Sequence, residues 1–163
     1  MPSEDFVEVR LLGLPLLVWR RTQEHVDGLL REFALIAQDG EARAATPKRL
    51  LDLVKEVNAT YGGFSAEPRQ AMEAALDRDE SEIDLTYRLP PAAGDAAQRL
   101  GDMLDEADDY CRRGDHLLSL ATPPEELRFR KWFIGEFVAQ IGGAPPTPWP
   151  EAEQPGGGRG EAG

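Results

Sequence analysis

The chain reads as an α+β protein, mainly helical, with about five helices packed against a small two-stranded sheet. Three observations predict this. Apolar residues recur at helical spacing through most of the length, and only two short segments alternate as strands do. The punctuation between segments is glycine and proline in the places where helices start and stop. At 163 residues and 41% hydrophobic, the chain can bury one sizeable core. Residues 1–150 are therefore expected to form a single domain.

Phe6-Val-Glu-Val-Arg-Leu-Leu12 alternates over its first five residues and reads as a strand ending near Gly13 and Pro15. A first helix follows, from about Trp19 to Gln38, with Val26, Leu29, Leu30, Phe33, Ile36 and Ala37 on one side. Thr46-Pro47 reads as an N-cap with proline at the first helical position. It leads into Leu50, Leu51, Val54, Val57 and Tyr61, and Gly62-Gly63 ends that helix. Ser65 is placed to cap a shorter third helix carrying Met72, Ala75 and Leu76. Ile83 to Leu89 is the second strand: Ile83, Leu85, Tyr87 and Leu89 share one face, until Pro90-Pro91 stops it. Two lone strands are marginal in water, so they are expected to pair and lie on helices. Asp95 opens a fourth helix, with Leu100, Met103, Leu104, Ala107, Tyr110 and Cys111 facing inward. Thr122-Pro-Pro-Glu125 reads as a capping box for a last helix running to about Ile141.

From Gly142 to the end, 12 of 22 residues are Gly or Pro, so this stretch cannot build a core of its own. Pro145-Pro-Thr-Pro148 has one PxxP spacing, but Trp149 is expected to fold back onto the domain. Residues 151–163 are expected to be a disordered Gly/Pro-rich tail.

The formal charge of −12 opposes nucleic-acid binding and adhesion to an anionic membrane, since both need clustered cations. Between Glu73 and Asp109 lie 12 acids and 3 arginines, so an electrostatic partner would be basic. Cys111 is alone, which rules out an intrachain disulfide and a multi-cysteine metal site. The opening MPSEDFVEV lacks the positive charge and apolar core of a secretory signal, so a cytoplasmic protein is expected.

Candidate chemistry is sparse. His25 lies about 80° from Phe33 around the first helix, on a shoulder shared with Arg21, Gly28 and Glu32. A shoulder position suits a phospho-acceptor, yet neither an H-box proline nor a nucleotide-binding glycine motif accompanies it. A structural histidine bonding to Glu32 or a neighbouring helix is the preferred reading. Cys111 and His116 supply two ligands, too few for zinc. Asp102, Asp105, Glu106 and Asp109 share one face of the fourth helix and read as a solvated acidic surface rather than a metal site. No motif calls for a cofactor or a catalytic nucleophile.

The last helix, EELRFRKWFIGEFVAQI, is different. Leu127, Ile134, Val138 and Ile141 form one stripe, while Phe129, Trp132, Phe133 and Phe137 extend the apolar arc around most of the circumference. Either this is a central helix enclosed by its own domain, or one flank meets a partner. On the second reading Arg130, Trp132, Phe133 and Phe137 form an interaction surface. Arg130 needs a carboxylate in either case, and the fourth helix is the supplier.

The first helix from Gln23-Glu24-His25 to Ile36 carries a resemblance, together with DLTYRLPPAAGDAAQRL, LDEADDYCRRGDHLLSLATPPE and FRKWFIGEFVAQIGGAPPTPWP. These stretches resemble a group of small actinobacterial proteins associated with ATP-binding anti-sigma regulators and STAS-type partner-switching proteins. The resemblance covers about Phe6 to Pro150 and implies a signalling context; it carries no catalytic residues. The expectation is a non-catalytic regulatory module that binds a protein partner, such as an anti-sigma-type regulator, or another copy of itself. The alternatives are a small-ligand protein or enzyme with a pocket between the strands and last helix, and a phosphotransfer intermediate acting through His25.

Overall fold

The computed structural model describes residues 5–38, 45–113 and 121–150. His116 and the 151–163 tail lie outside the described residues. The order is β1 (Val7–Pro15), α1 (Leu16–Gln38), α2 (Ala45–Tyr61), a 3-10 turn (Gly62–Ser65), α3 (Ala66–Asp77), β2 (Glu82–Leu89), α4 (Ala93–Arg113) and α5 (Pro124–Ile141). The two strands pair antiparallel, from Val7 opposite Leu89 to Pro15 opposite Glu82. The fold is mainly helical with one small sheet.

β2 keeps its expected alternation: Leu85, Tyr87 and Leu89 are buried, and Asp84, Thr86 and Arg88 are exposed. β1 ends at Pro15, where glycine and proline are expected to stop it, five residues past the alternation that closes at Arg10. The register slips between Leu11 and Leu14. Gly13 takes a positive φ of 69° there, and its N–H donates to Asp84 Oδ1 at 2.8 Å. A side-chain acceptor on the partner strand holds the bulge, so the strand continues past the glycine. The Leu16 N–H then donates to Ser81 O, which anchors the start of α1 earlier than Trp19.

None of the three expected side-chain caps makes a capping bond. At α5 the N-cap is Pro123 with no side-chain bond, because Thr122 is engaged elsewhere. The Thr46 hydroxyl lies inside α2 and donates to Glu106 Oε2 at 3.0 Å. Ser65 does occupy the N-cap of α3, although its side chain makes no capping bond.

The interior divides into two apolar clusters. One surrounds the sheet: Val9, Leu11, Leu14, Leu85, Tyr87 and Leu89 meet Phe129, Phe137 and Trp149. The other joins α1, α2 and α4 through Leu29, Phe33, Leu50, Leu104, Ala107 and Cys111. Helix α5 sends Phe129, Phe133 and Phe137 to the first and Ile134 to the second. Apolar contact on both sides accounts for its wide hydrophobic arc.

The outer edge of β1 is covered as well. Gln140 of α5 accepts the Arg10 N–H through Oε1 and donates to Arg10 O through Nε2, both at 2.8 Å. The Trp149 N–H donates to Leu12 O at 3.0 Å, and the Trp149 ring is buried against Phe129 and Trp132. The segment after α5 thus straps the sheet edge, which would otherwise present free pairing groups.

Candidate functional site

Where α1, α4 and α5 meet lie three of the buried charged side chains among the described residues, Arg130, Asp108 and Glu126. Arg130, 6% exposed, lies at the centre. Its Nη2 donates to Asp108 Oδ2 at 3.0 Å and Asp105 Oδ1 at 2.7 Å, and its Nη1 donates to Thr122 Oγ1 at 3.0 Å. Thr122 in turn donates its backbone N–H and its hydroxyl to Asp108 Oδ1, at 3.0 and 2.8 Å. The fourth helix thus supplies the carboxylates that Arg130 requires, and Asp108 and Thr122 complete the shell. A buried guanidinium with these acceptors is satisfied rather than reactive.

Burial alone would raise the pKa of Asp108. The two bonds from Thr122 and the Arg130 guanidinium outweigh that, so it lies below the ordinary aspartate value. Asp108 was legible in one respect: it falls four residues after Leu104, about 40° past the edge of the apolar stripe of α4 and between that stripe and the acidic face.

His25 lies beside this cluster. It is half-buried, and its Nε2 is enclosed without a hydrogen-bond partner, so the expected bond to a neighbour is not made through that nitrogen. Burial lowers its pKa; Asp108 and Glu126 pull the other way and Arg130 adds to the lowering. One helical turn earlier, Arg21 donates to Glu125 at 2.6 Å and to the buried Glu126 at 3.1 Å.

The acids of the outer face of α4 are engaged too. Asp105 also meets Lys131, Glu106 pairs with Arg49, Asp109 with Arg112, and Asp102 accepts from Gln98. Among the described residues no group of three His, Cys, Asp or Glu is placed to hold a metal ion. Burial, with the fields of Asp108 and Glu32, pushes the Cys111 thiol up to about 11, which keeps it protonated at neutral pH.

The residues of the expected interaction surface separate. Arg130 and Phe137 are enclosed by the chain itself. Phe133 is half-buried between Tyr87 and Phe137. Trp132 is half-buried, stands edge-on to Trp149 and donates its ring N–H to Thr147 O at 2.9 Å. Its direction, about 140° from Leu127, leads to the strap.

Elsewhere apolar side chains do remain in the open. Phe6, Leu17 and Leu35 are the large hydrophobic residues exposed among the described residues, at 40%, 56% and 66%. Leu17 and Leu35 are both on α1, and an 18-residue separation brings two side chains to the same azimuth. Leu17 lies before the helix start near Trp19 that the sequence suggests, so only the earlier start of α1 at Leu16 brings it into line with Leu35. No helix among the described residues is long and apolar enough to cross a membrane. Comparison with family models, with curated proteins and with solved structures finds no match to this chain.

Proposed function

We propose that the protein is a non-catalytic interaction module of a signalling system, of the partner-switching kind, and that it docks a protein partner through the outer face of α1. The observation that carries this reading is the stripe from Leu17 to Leu35. Both leucines point outward, about 27 Å apart at the rise of a helix, with Arg21, Glu24, Gly28 and Arg31 between them on the same side. Gly28 supports it. A glycine within a helix costs about 1 kcal/mol relative to alanine, and a Cβ at this position would meet nothing within 4 Å. The fold itself gives no reason for glycine there. A partner helix that crosses the stripe at its middle does, because it lets the backbones approach.

The ionisable cluster supports a structural rather than a chemical role for the interior, since Arg130, Asp108 and Thr122 engage one another. The test is a Leu17→Asp/Leu35→Asp double variant, compared with wild type by calorimetry against an anti-sigma-type regulator and by sedimentation for self-association. An unchanged melting temperature with association weakened at least about ten-fold, roughly 1.4 kcal/mol, is expected. Association equal to wild type in both assays would refute the α1 surface.

A further inference from the structure

Helices α2, α4 and α5 and strand β2 do not close completely on one another. Between them lies a cleft of about 150 Å³. One wall is aromatic: Tyr87 of β2 stands edge-on to Phe133 at 6.4 Å and to Phe137 at 4.9 Å, and the two phenylalanines tilt together at 5.1 Å. Tyr61, at the end of α2, adds a fourth ring to the lining. Helix α4 contributes Ala93, Ala96 and Ala97, side chains too short to fill the space. None of the lining residues is ionised; Ser65, Tyr61 and Tyr87 bring hydroxyl groups.

Packed apolar walls normally close on one another, whereas this cleft stays partly open to solvent and leaves aromatic surface uncovered. A longer side chain at one alanine would close it. The geometry points to the cleft as a binding site for a small neutral aromatic molecule, a single ring with at most one hydroxyl substituent. Size sets the first limit, because about 150 Å³ in a partly open apolar cleft leaves room for one six-membered ring and little more. Charge sets the second: an ion buried here would find no counter-charge in the lining. The walls set the third, since edge-to-face ring pairs add attraction beyond the area they bury. Burial pushes the Tyr87 phenol up to about 12 against the opposing field of Arg69, which is outside the lining, so that ring stays neutral beside the ligand across the ordinary pH range. The cleft lies away from the Leu17–Leu35 stripe, and each reading stands or falls without the other.

The test is an amide-detected NMR titration of the full chain with phenol, alongside benzoate as the charged analogue and cyclohexanol as the non-aromatic ring of the same size. Phenol is expected to give saturable shifts centred on Tyr87, Ala97 and Phe133. Benzoate should give none, and cyclohexanol should bind more weakly than phenol. Ala97→Leu, which fills the cleft, should weaken phenol at least about ten-fold, or 1.4 kcal/mol, at an equal or higher melting temperature. Val57→Phe fills it from α2 and serves if the first variant does not fold. Three results would each overturn the site: no saturable phenol shift up to the solubility limit, benzoate or cyclohexanol binding as well as phenol, or a folded filling variant that binds as wild type does.

Discussion

Helix α5 carries a buried polar network at each end, and the two are built differently. Near its start, Arg130 and Asp108 are opposite charges, 6% and 3% exposed, that share Thr122. Near its end, Glu136 Oε1 accepts from Gln140 Nε2 at 2.9 Å and from the Thr147 N–H at 2.8 Å, both neutral donors. Gln140 passes the connection on to the Arg10 backbone. The first network locks helix to helix. The second replaces the missing neighbour of an edge strand and holds the strap. Charge is needed in the first to compensate charge, whereas in the second the task is to satisfy backbone groups, which an amide can also do.

That contrast can be broken most severely at Arg130. Arg130→Met leaves Asp108 buried beside Thr122 without its cation, and is expected to cost about 3–5 kcal/mol in urea unfolding. Pairing it with Asp108→Leu should recover part of the loss, since removing both charges also removes the uncompensated one. A double variant no better than the single would show that packing, not charge, dominates the site.

Trp132→Ala comes next. The ring holds the strap through Thr147 and Trp149, so its deletion should cost about 3 kcal/mol of stability. Sedimentation should be unchanged. A stable variant with altered association would return Trp132 to an interface.

Glu136→Gln sharpens the comparison from the other side. The amide oxygen can accept the same two N–H groups, so the loss should be about 1 kcal/mol or less. A loss near that of Arg130→Met would show that the strap network also depends on charge.

What was legible in the sequence follows a physical line. Helix periodicity, the alternation of β2 and the stop at Gly62-Gly63 are local signals, and each element is present. The need of Arg130 for a carboxylate was legible because a cation inside an apolar arc has few alternatives. The misses are places where a distant partner claimed a local group. Thr122 and Thr46 carry capping residues' chemistry, but Asp108 and Glu106 engage their hydroxyls. The register slip in β1 is of the same kind, since the Gly13 N–H donates to Asp84 across the sheet. The aromatic flank of α5 pointed outward when the helix was read alone, and the strap that covers Trp132 comes from the proline-rich segment beyond it.

The smallest expected effect concerns His25, and the two networks frame it, because the histidine borders the charged one. Its pKa is lowered chiefly by burial, with Arg130 adding to the effect against Asp108 and Glu126. Above the ordinary histidine value of about 6.5, the folded and unfolded chains both hold it neutral and stability is complete. As pH falls below that value, the unfolded chain takes up the proton first, so stability declines until the lowered folded value is passed. Asp108 behaves in the same direction in a separate window. Its lowered pKa makes the unfolded chain the better proton acceptor only below the ordinary aspartate value of about 3.9. Unfolding free energies measured by urea from about pH 8 to about pH 5 should therefore fall gently in wild type and stay flat in His25→Gln. Both proteins should then weaken together in the more acidic window. If wild type instead gained stability between neutrality and mildly acid pH, His25 would be charged in the fold, and its enclosed Nε2 would have to possess a partner.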